Sequence, residues 1–169
     1  MMLATMLHTY LSISRAQTEK IGANLARTLK GGETILLSGD LGAGKTVLVK
    51  GLAKALKVKQ IITSPTFVLM KVYPTYHKTV HQLVHMDCYR LPAGRHGVPE
   101  IELENIGIGD YLSSPDTVAA IEWAGKLNHT PAGAIKVHIG PGKKTTERKI
   151  TISRPKTTTS KHKRYSRSS

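Results

Sequence analysis

Residues 39–46 read Gly39-Asp40-Leu41-Gly42-Ala43-Gly44-Lys45-Thr46 and fill every fixed position of the pattern G-x-x-x-x-G-K-[ST]. The chemistry such a loop can do is phosphate binding. Its glycines let the backbone curl around an oxygen cluster without Cβ clashes, so that successive N–H groups point inward. A helix opening near Gly44 adds unpaired N–H groups and the positive end of its dipole. Lys45 can reach β and γ phosphates as a point charge, and the Thr46 hydroxyl is a natural ligand for Mg²⁺. A Mg²⁺-dependent site of this kind also needs carboxylates at nearby strand ends, to position the ion or the attacking water. Asp87 and Glu122 each close a hydrophobic run and are the two candidates. Spacing alone does not divide the metal role between them.

These residues need a strand before the loop and a helix after it. Thr34–Ser38 is a short apolar run suited to a buried parallel strand, and Val47–Leu56 spaces its apolar positions as an amphipathic helix. Ser14 is the expected cap of an earlier helix running to about Lys30, with Ile21, Leu25 and Leu29 on one face and Gly31-Gly32 as its stop. Further strands are expected over Leu11–Ile13, Val68–Tyr73, Leu83–Asp87 and Thr117–Glu122. Ile135–Ile139 and Lys149–Ser153 alternate as an antiparallel pair at the end of the sheet. Glu100–Asn105 reads as a short helix and Gly107–Leu112 as a tight segment.

Ser64-Pro65-Thr66-Phe67 precedes one of these strands. It reads either as a turn before an edge strand or as a segment bringing hydroxyls near the γ phosphate. His77, His81 and His85 recur every four residues but straddle a turn and a strand, which disfavours a shared metal. His85 is read as a pleat neighbour of Asp87.

The chain has 169 residues, enough for one domain with a sizeable core. The expected organisation is a flexible N-terminus (1–10), an α/β P-loop domain (11–153) and a basic, disordered tail (154–169). The domain is expected to hold a mainly parallel sheet with antiparallel additions and helices on both faces. Net charge is +14, and residues 143–169 supply ten Lys/Arg against one acid, Glu147. That tail is open to two readings: salt-sensitive contact with RNA phosphates, or a merely solubilising extension. The single cysteine, Cys88, excludes an internal disulfide framework and fits a reducing compartment. No apolar run approaches the roughly 20 residues needed to span a bilayer, and the start lacks a basic leader. A cytoplasmic protein without membrane attachment is expected. The guanine-recognition signature Asn-Lys-x-Asp does not occur, which favours ATP over GTP.

Four blocks together, Gly39–Thr46, Ser64–Phe67, His85-x-Asp87-x-Tyr89-Arg90-Leu91 and Glu122-Trp123, resemble the TsaE (YjeE) family in order and spacing. The stretch Glu102–Leu112 is similar to the family's segment between its second and third acidic motifs. The resemblance covers roughly residues 11–153 and implies a bacterial P-loop ATPase of tRNA threonylcarbamoyladenosine biosynthesis. It implies nucleotide contacts from Gly39 to Val47, with Lys45, Asp87 and Glu122 as the catalytic set. Thr46 and Glu122 would hold Mg²⁺, while Asp87 would assist hydrolysis or orient the ion's water. Thr66 would belong to a nucleotide-sensing segment, Trp123 would lie close to the nucleotide, and Arg148 would approach ATP from the terminal strands. Ser12 to Arg15 would border the adenine. Without the resemblance, Trp123 reads as an ordinary core aromatic.

The partners so implied are the threonylcarbamoyl transferase subunit and its paralogue, a TsaD–TsaB-like complex that ATP hydrolysis resets. Contact with tRNA would be indirect or through the tail. Two departures are mild: Val47 stands where many members have a second Thr, and Cys88 where Leu is commoner. Two rival readings remain: a small-molecule kinase with Asp87 as base, which lacks an Arg-rich lid, and a nucleotide-gated binding module with negligible turnover.

Overall fold

The computed structural model describes residues 5–92, Gly94 and 97–155. Its elements in chain order are β1 (Thr5–Ser12), α1 (Arg15–Ala26), β2 (Thr34–Ser38), α2 (Lys45–Ala55), β3 (Met70–Pro74), β4 (Gln82–Asp87), α3 (Glu100–Ile106), α4 (Ile108–Leu112), β5 (Thr117–Glu122), β6 (Ile135–Pro141) and β7 (Arg148–Pro155). The seven strands form one sheet in the order β1-β7-β6-β2-β5-β4-β3. Its centre, β6-β2-β5-β4, is parallel. Antiparallel strands extend both edges, β7 and β1 on one side and β3 on the other. The mixed α/β architecture expected from the sequence is therefore present, but the antiparallel β6–β7 pair lies one strand in from the sheet end, because β1 pairs outside β7.

Strand alternation divides the sheet residues between two cores. Ile35, Leu37, Val118, Ala120, Val137, Ile139, Ile150 and Ile152 pack with Leu25, Leu48, Leu52 and Leu56 of the α1–α2 layer. Leu36, Met86 and Ile121 face the opposite way and pack with Ile108, Leu103 and Leu112 of the α3–α4 layer. Helices thus cover both faces. α1 and α2 approach closely through two glycines: a Cβ on Gly22 would fall 2.2 Å from the Leu48 carbonyl oxygen, and one on Gly51 1.9 Å from that of Glu19.

Several boundaries differ from expectation for identifiable reasons. β1 starts at Thr5, not Leu11, and pairs with β7 along its whole length, from Thr5↔Pro155 to Ser12↔Arg148. All its residues except Ser12 are exposed, so backbone pairing holds it and no burial period marks it in the sequence. α1 does begin at the Ser14 cap, whose side chain accepts the Gln17 N–H. It ends at Ala26, because Thr28 and Leu29 donate backward to Leu25 and Ala26 in tighter turns. β3 starts at Met70, since Val68 and Leu69 both donate to the Pro65 carbonyl and Leu69 adopts φ +63°. Arg154 and Pro155 still belong to β7. The rest of the expected tail, 156–169, lies outside the described residues, as do residues 1–4. Among the described residues no helix is long and apolar enough to cross a membrane.

Candidate functional site

The loop between β2 and α2 bends at three glycines with positive φ: Gly39 (+141°), Gly42 (+75°) and Gly44 (+108°). At Gly39 even the space is lacking, because a Cβ would lie 2.3 Å from the Ile139 carbonyl oxygen on β6. Gly44 caps α2 in a left-handed conformation without any side-chain hydrogen bond. The first N–H groups of α2 are left for an anion, the arrangement that binds phosphate. Lys45, only 5 % exposed, folds its ammonium over the loop and donates to the carbonyls of Gly39 (2.7 Å) and Asp40 (2.8 Å). The same ammonium lies 3.9 Å from the centroid of the Trp123 ring. Burial lowers its pKa below the ordinary lysine value, opposed by the charges of Glu122, Asp87 and Asp40.

Parallel pairing of β4 with β5 sets Asp87 and Glu122 in register at the strand ends. The step from β5 to α2 is direct: Thr46 Oγ1 donates to Glu122 Oε1 at 2.7 Å. That oxygen also lies 2.7 Å from His85 Nε2, and His85 and Glu122 are both buried. A carboxylate only accepts, so Nε2 carries the hydrogen. Asp87 is held from the other side. Its Oδ2 accepts from Ser64 Oγ (2.9 Å) and Thr66 Oγ1 (2.7 Å), and its Oδ1 accepts the Tyr89 backbone N–H (2.9 Å). Trp123 stands at φ +59°, costly for a bulky residue, with its ring 4.9 Å from that of Tyr89.

On the opposite flank of the loop lies a cleft of about 180 Å³, lined by Ser12, Ser14, Arg15, Thr18, Gly42, Ala43, Gly44, Val47, Thr146 and Arg148. Arg148 is braced there through its guanidinium, which donates to the carbonyls of Thr145 (2.7 Å) and Glu147 (2.8 Å). Ser12 and Thr18 share a 2.8 Å hydrogen bond in its wall. The structure therefore gathers Lys45, Thr46, Thr66, Asp87, Glu122 and Trp123 on one side of the loop. It places Val47, Arg148 and the Ser12–Arg15 segment on the other.

His85 is the residue that sequence reasoning undervalued. Alternation put it on the same strand face as Asp87, but only the register with β5 reveals its contact with Glu122. Its other ring nitrogen, Nδ1, is buried without a hydrogen-bond partner. The three histidines do not share a site: His81 pairs with Asp116 at 3.1 Å, while His77 Nδ1 faces the backbone N–H groups of Thr79 and Val80. Among the described residues no group of three or more His, Cys, Asp or Glu could hold a metal by itself. The donors at the loop are instead a hydroxyl, Thr46, and two carboxylates. Such a sparse oxygen set fits Mg²⁺, which keeps waters and takes its other ligands from phosphates.

A family model described as threonylcarbamoyl adenosine biosynthesis protein TsaE matches residues 12–150. The chain is 36% identical over 121 residues to the tRNA threonylcarbamoyladenosine biosynthesis protein TsaE of Streptomyces coelicolor, covering 71% of this chain and 76% of that protein. The protein of the same name from Mycobacterium tuberculosis is 40% identical over 106 residues, 63% of this chain and 62% of its own. That from Aquifex aeolicus is 49% identical over 81 residues, 47% and 59% of the two chains. The fold superposes on the crystal structure of YdiB from Bacillus subtilis with a TM-score of 0.69 at 27% identity, covering 90% of this chain and 88% of that one.

Proposed function

This chain belongs to the TsaE family, and from that premise we propose that it is a Mg²⁺-dependent ATPase serving the biosynthesis of threonylcarbamoyladenosine in tRNA. It acts on the complex of the threonylcarbamoyl transferase with its paralogue. The observation that carries the reading is the 2.7 Å bond between Thr46 and Glu122, which ties the phosphate loop to the acid-bearing strand ends.

Each residue then has a task. The loop amides and Lys45 hold the β and γ phosphates, and Lys45 exchanges its bonds to Gly39 and Asp40 for phosphate oxygens. Thr46 and Glu122 would hold the ion, and His85 keeps the Glu122 carboxylate aimed at the loop. The ion, when bound, neutralises charge on the phosphates. Asp87 orients the attacking water, and its engagement competes with the hydroxyls of Ser64 and Thr66. Arg148 and the Ser12–Arg15 segment border the base. Turnover is slow alone and rises when the transferase complex completes the site.

Reconstitution with the transferase complex and unmodified tRNA tests this, with modified adenosine and released phosphate measured together. Lys45→Ala is expected to abolish both. Full modification by the Lys45→Ala protein would overturn the proposal. Phosphate release without any effect on modification would separate the ATPase from the pathway.

A further inference from the structure

The positive charge of the chain is concentrated. Residues 134–169 hold eleven Lys/Arg and one acid, whereas residues 1–133 hold fourteen and ten. The described part of that basic region is the β6–β7 hairpin, with β1 beside it, and none of these three strands contains an acid. The single acid, Glu147, is tied into the hairpin loop, where its carboxylate accepts the Lys143 and Lys144 N–H groups.

One face of this three-stranded unit packs on α1 and α2 through Val137, Ile139, Ile150 and Ile152. The other face carries Lys136 and His138 on β6, Lys149 and Thr151 on β7, and Thr9 on β1, by strand alternation and register. Among the described residues it has no helix upon it. The α3–α4 core reaches Leu36 and Ala134 and includes nothing from β6 or β7. Lys136, His138 and Lys149 are exposed.

We propose that this open face of β6, β7 and β1 binds the phosphate backbone of RNA. Lysines and hydroxyls are the side chains that contact phosphate and sugar, and the three strands themselves carry no carboxylate. Lys136 and Lys149 lie four register steps apart, about 13 Å along the strands, so they engage separate phosphates. A protein partner would instead be met by an apolar centre. The apolar residues of this face, Leu7 and Leu11, are both on the edge strand. The face is separate from the nucleotide cleft, so the inference does not depend on the ATPase reading.

The test uses the full chain and an unmodified tRNA transcript, with affinity followed by fluorescence anisotropy from 50 to 200 mM salt. Lys136→Glu/Lys149→Glu is expected to weaken binding about tenfold or more at low salt, and Lys136→Gln/Lys149→Gln less. In both, the slope of log K against log salt is expected to fall by about 1.5, the share of two phosphate contacts. ATP affinity, as a check of fold, should be unchanged in the Gln variant. An unchanged slope in that variant overturns the proposal, as does a wild-type protein that does not bind tRNA at 50 mM salt. Binding to phosphatidylglycerol vesicles that excludes tRNA and is lost in Leu7→Ser/Leu11→Ser would overturn it in favour of a membrane surface.

Discussion

His85 Nε2 donates to Glu122 Oε1 across 2.7 Å, inside the sheet and away from water. Glu122 has one further donor on that oxygen, the Thr46 hydroxyl, so a buried carboxylate hangs between a strand and the start of α2. Replacing His85 by Leu removes a donor to a buried charge, which costs about 1–3 kcal/mol. Urea unfolding of His85→Leu should show that loss, with part recovered by His85→Gln. Unchanged stability in both would mean that Glu122 takes its support elsewhere.

Lys45 predicts a pH dependence. Burial lowers its pKa from 10.5, and bound phosphates favour the charged form, so nucleotide binding takes up a proton when the free amine is partly neutral. ATP affinity should therefore fall with rising pH before 10.5 is reached. Lys45→Arg, which stays charged, should bind ATP with no such alkaline fall. Trp123, the one tryptophan of the chain, reports the event directly. Its ring is 3.9 Å from the ammonium, so its fluorescence should change as ATP is added to wild type and much less in Lys45→Ala.

Asp87 restrains the loop that precedes β3 through Ser64 and Thr66. Phe67, 86% exposed, sits next to this clasp with Arg90 over its ring at 4.9 Å. Asp87→Ala should free the segment, and limited chymotrypsin digestion should cut after Phe67 several-fold faster than in wild type. Equal rates would show that the two hydroxyl bonds do not hold the segment.

The phosphate loop, its strand and its helix were legible because their chemistry is local: three glycines, a lysine and a threonine at fixed spacing, with apolar runs on both sides. Asp87 and Glu122 were legible as strand ends, but not their pairing in register, which depends on how β4 and β5 align. The Thr46–Glu122–His85 chain joins residues 37 and 76 positions apart, beyond any local pattern. β1 extends well beyond the Leu11–Ile13 strand that the sequence suggests, for the opposite reason. Its side chains from Thr5 to Leu11 are exposed on both faces, so these residues carry no period, and only the pairing with β7 makes them a strand.

Cys88 sits between Asp87 and Tyr89 with no exposure to solvent. Burial pushes its thiol up to about 12, and the Asp87 charge pushes the same way. Only the thiolate reacts with iodoacetamide, so at pH 8 the native protein should be alkylated far more slowly than the urea-unfolded chain, whose thiol ionises near 9.0. Rapid labelling of the native protein would show that the β4 end opens readily.

Gly51 sits in the middle of α2, where a glycine is ordinarily a cost to helix stability. Alanine there should nevertheless be worse. Its Cβ would fall 1.9 Å from the Glu19 carbonyl oxygen and 3.0 Å from the Ala23 N, both backbone atoms of α1. Neither can swing aside as a side chain would, so α2 must move away from α1. Overpacking of this kind costs about 1–3 kcal/mol, more than the helix propensity gained. The displacement also reaches the site, because the first residues of α2, Lys45 and Thr46, bind the loop carbonyls and Glu122. Gly51→Ala should thus lower both the unfolding midpoint in urea and the affinity for ATP, although the residue touches neither loop nor cleft. A variant that lost stability but bound ATP normally would show that α2 can shift without carrying its N-terminus along.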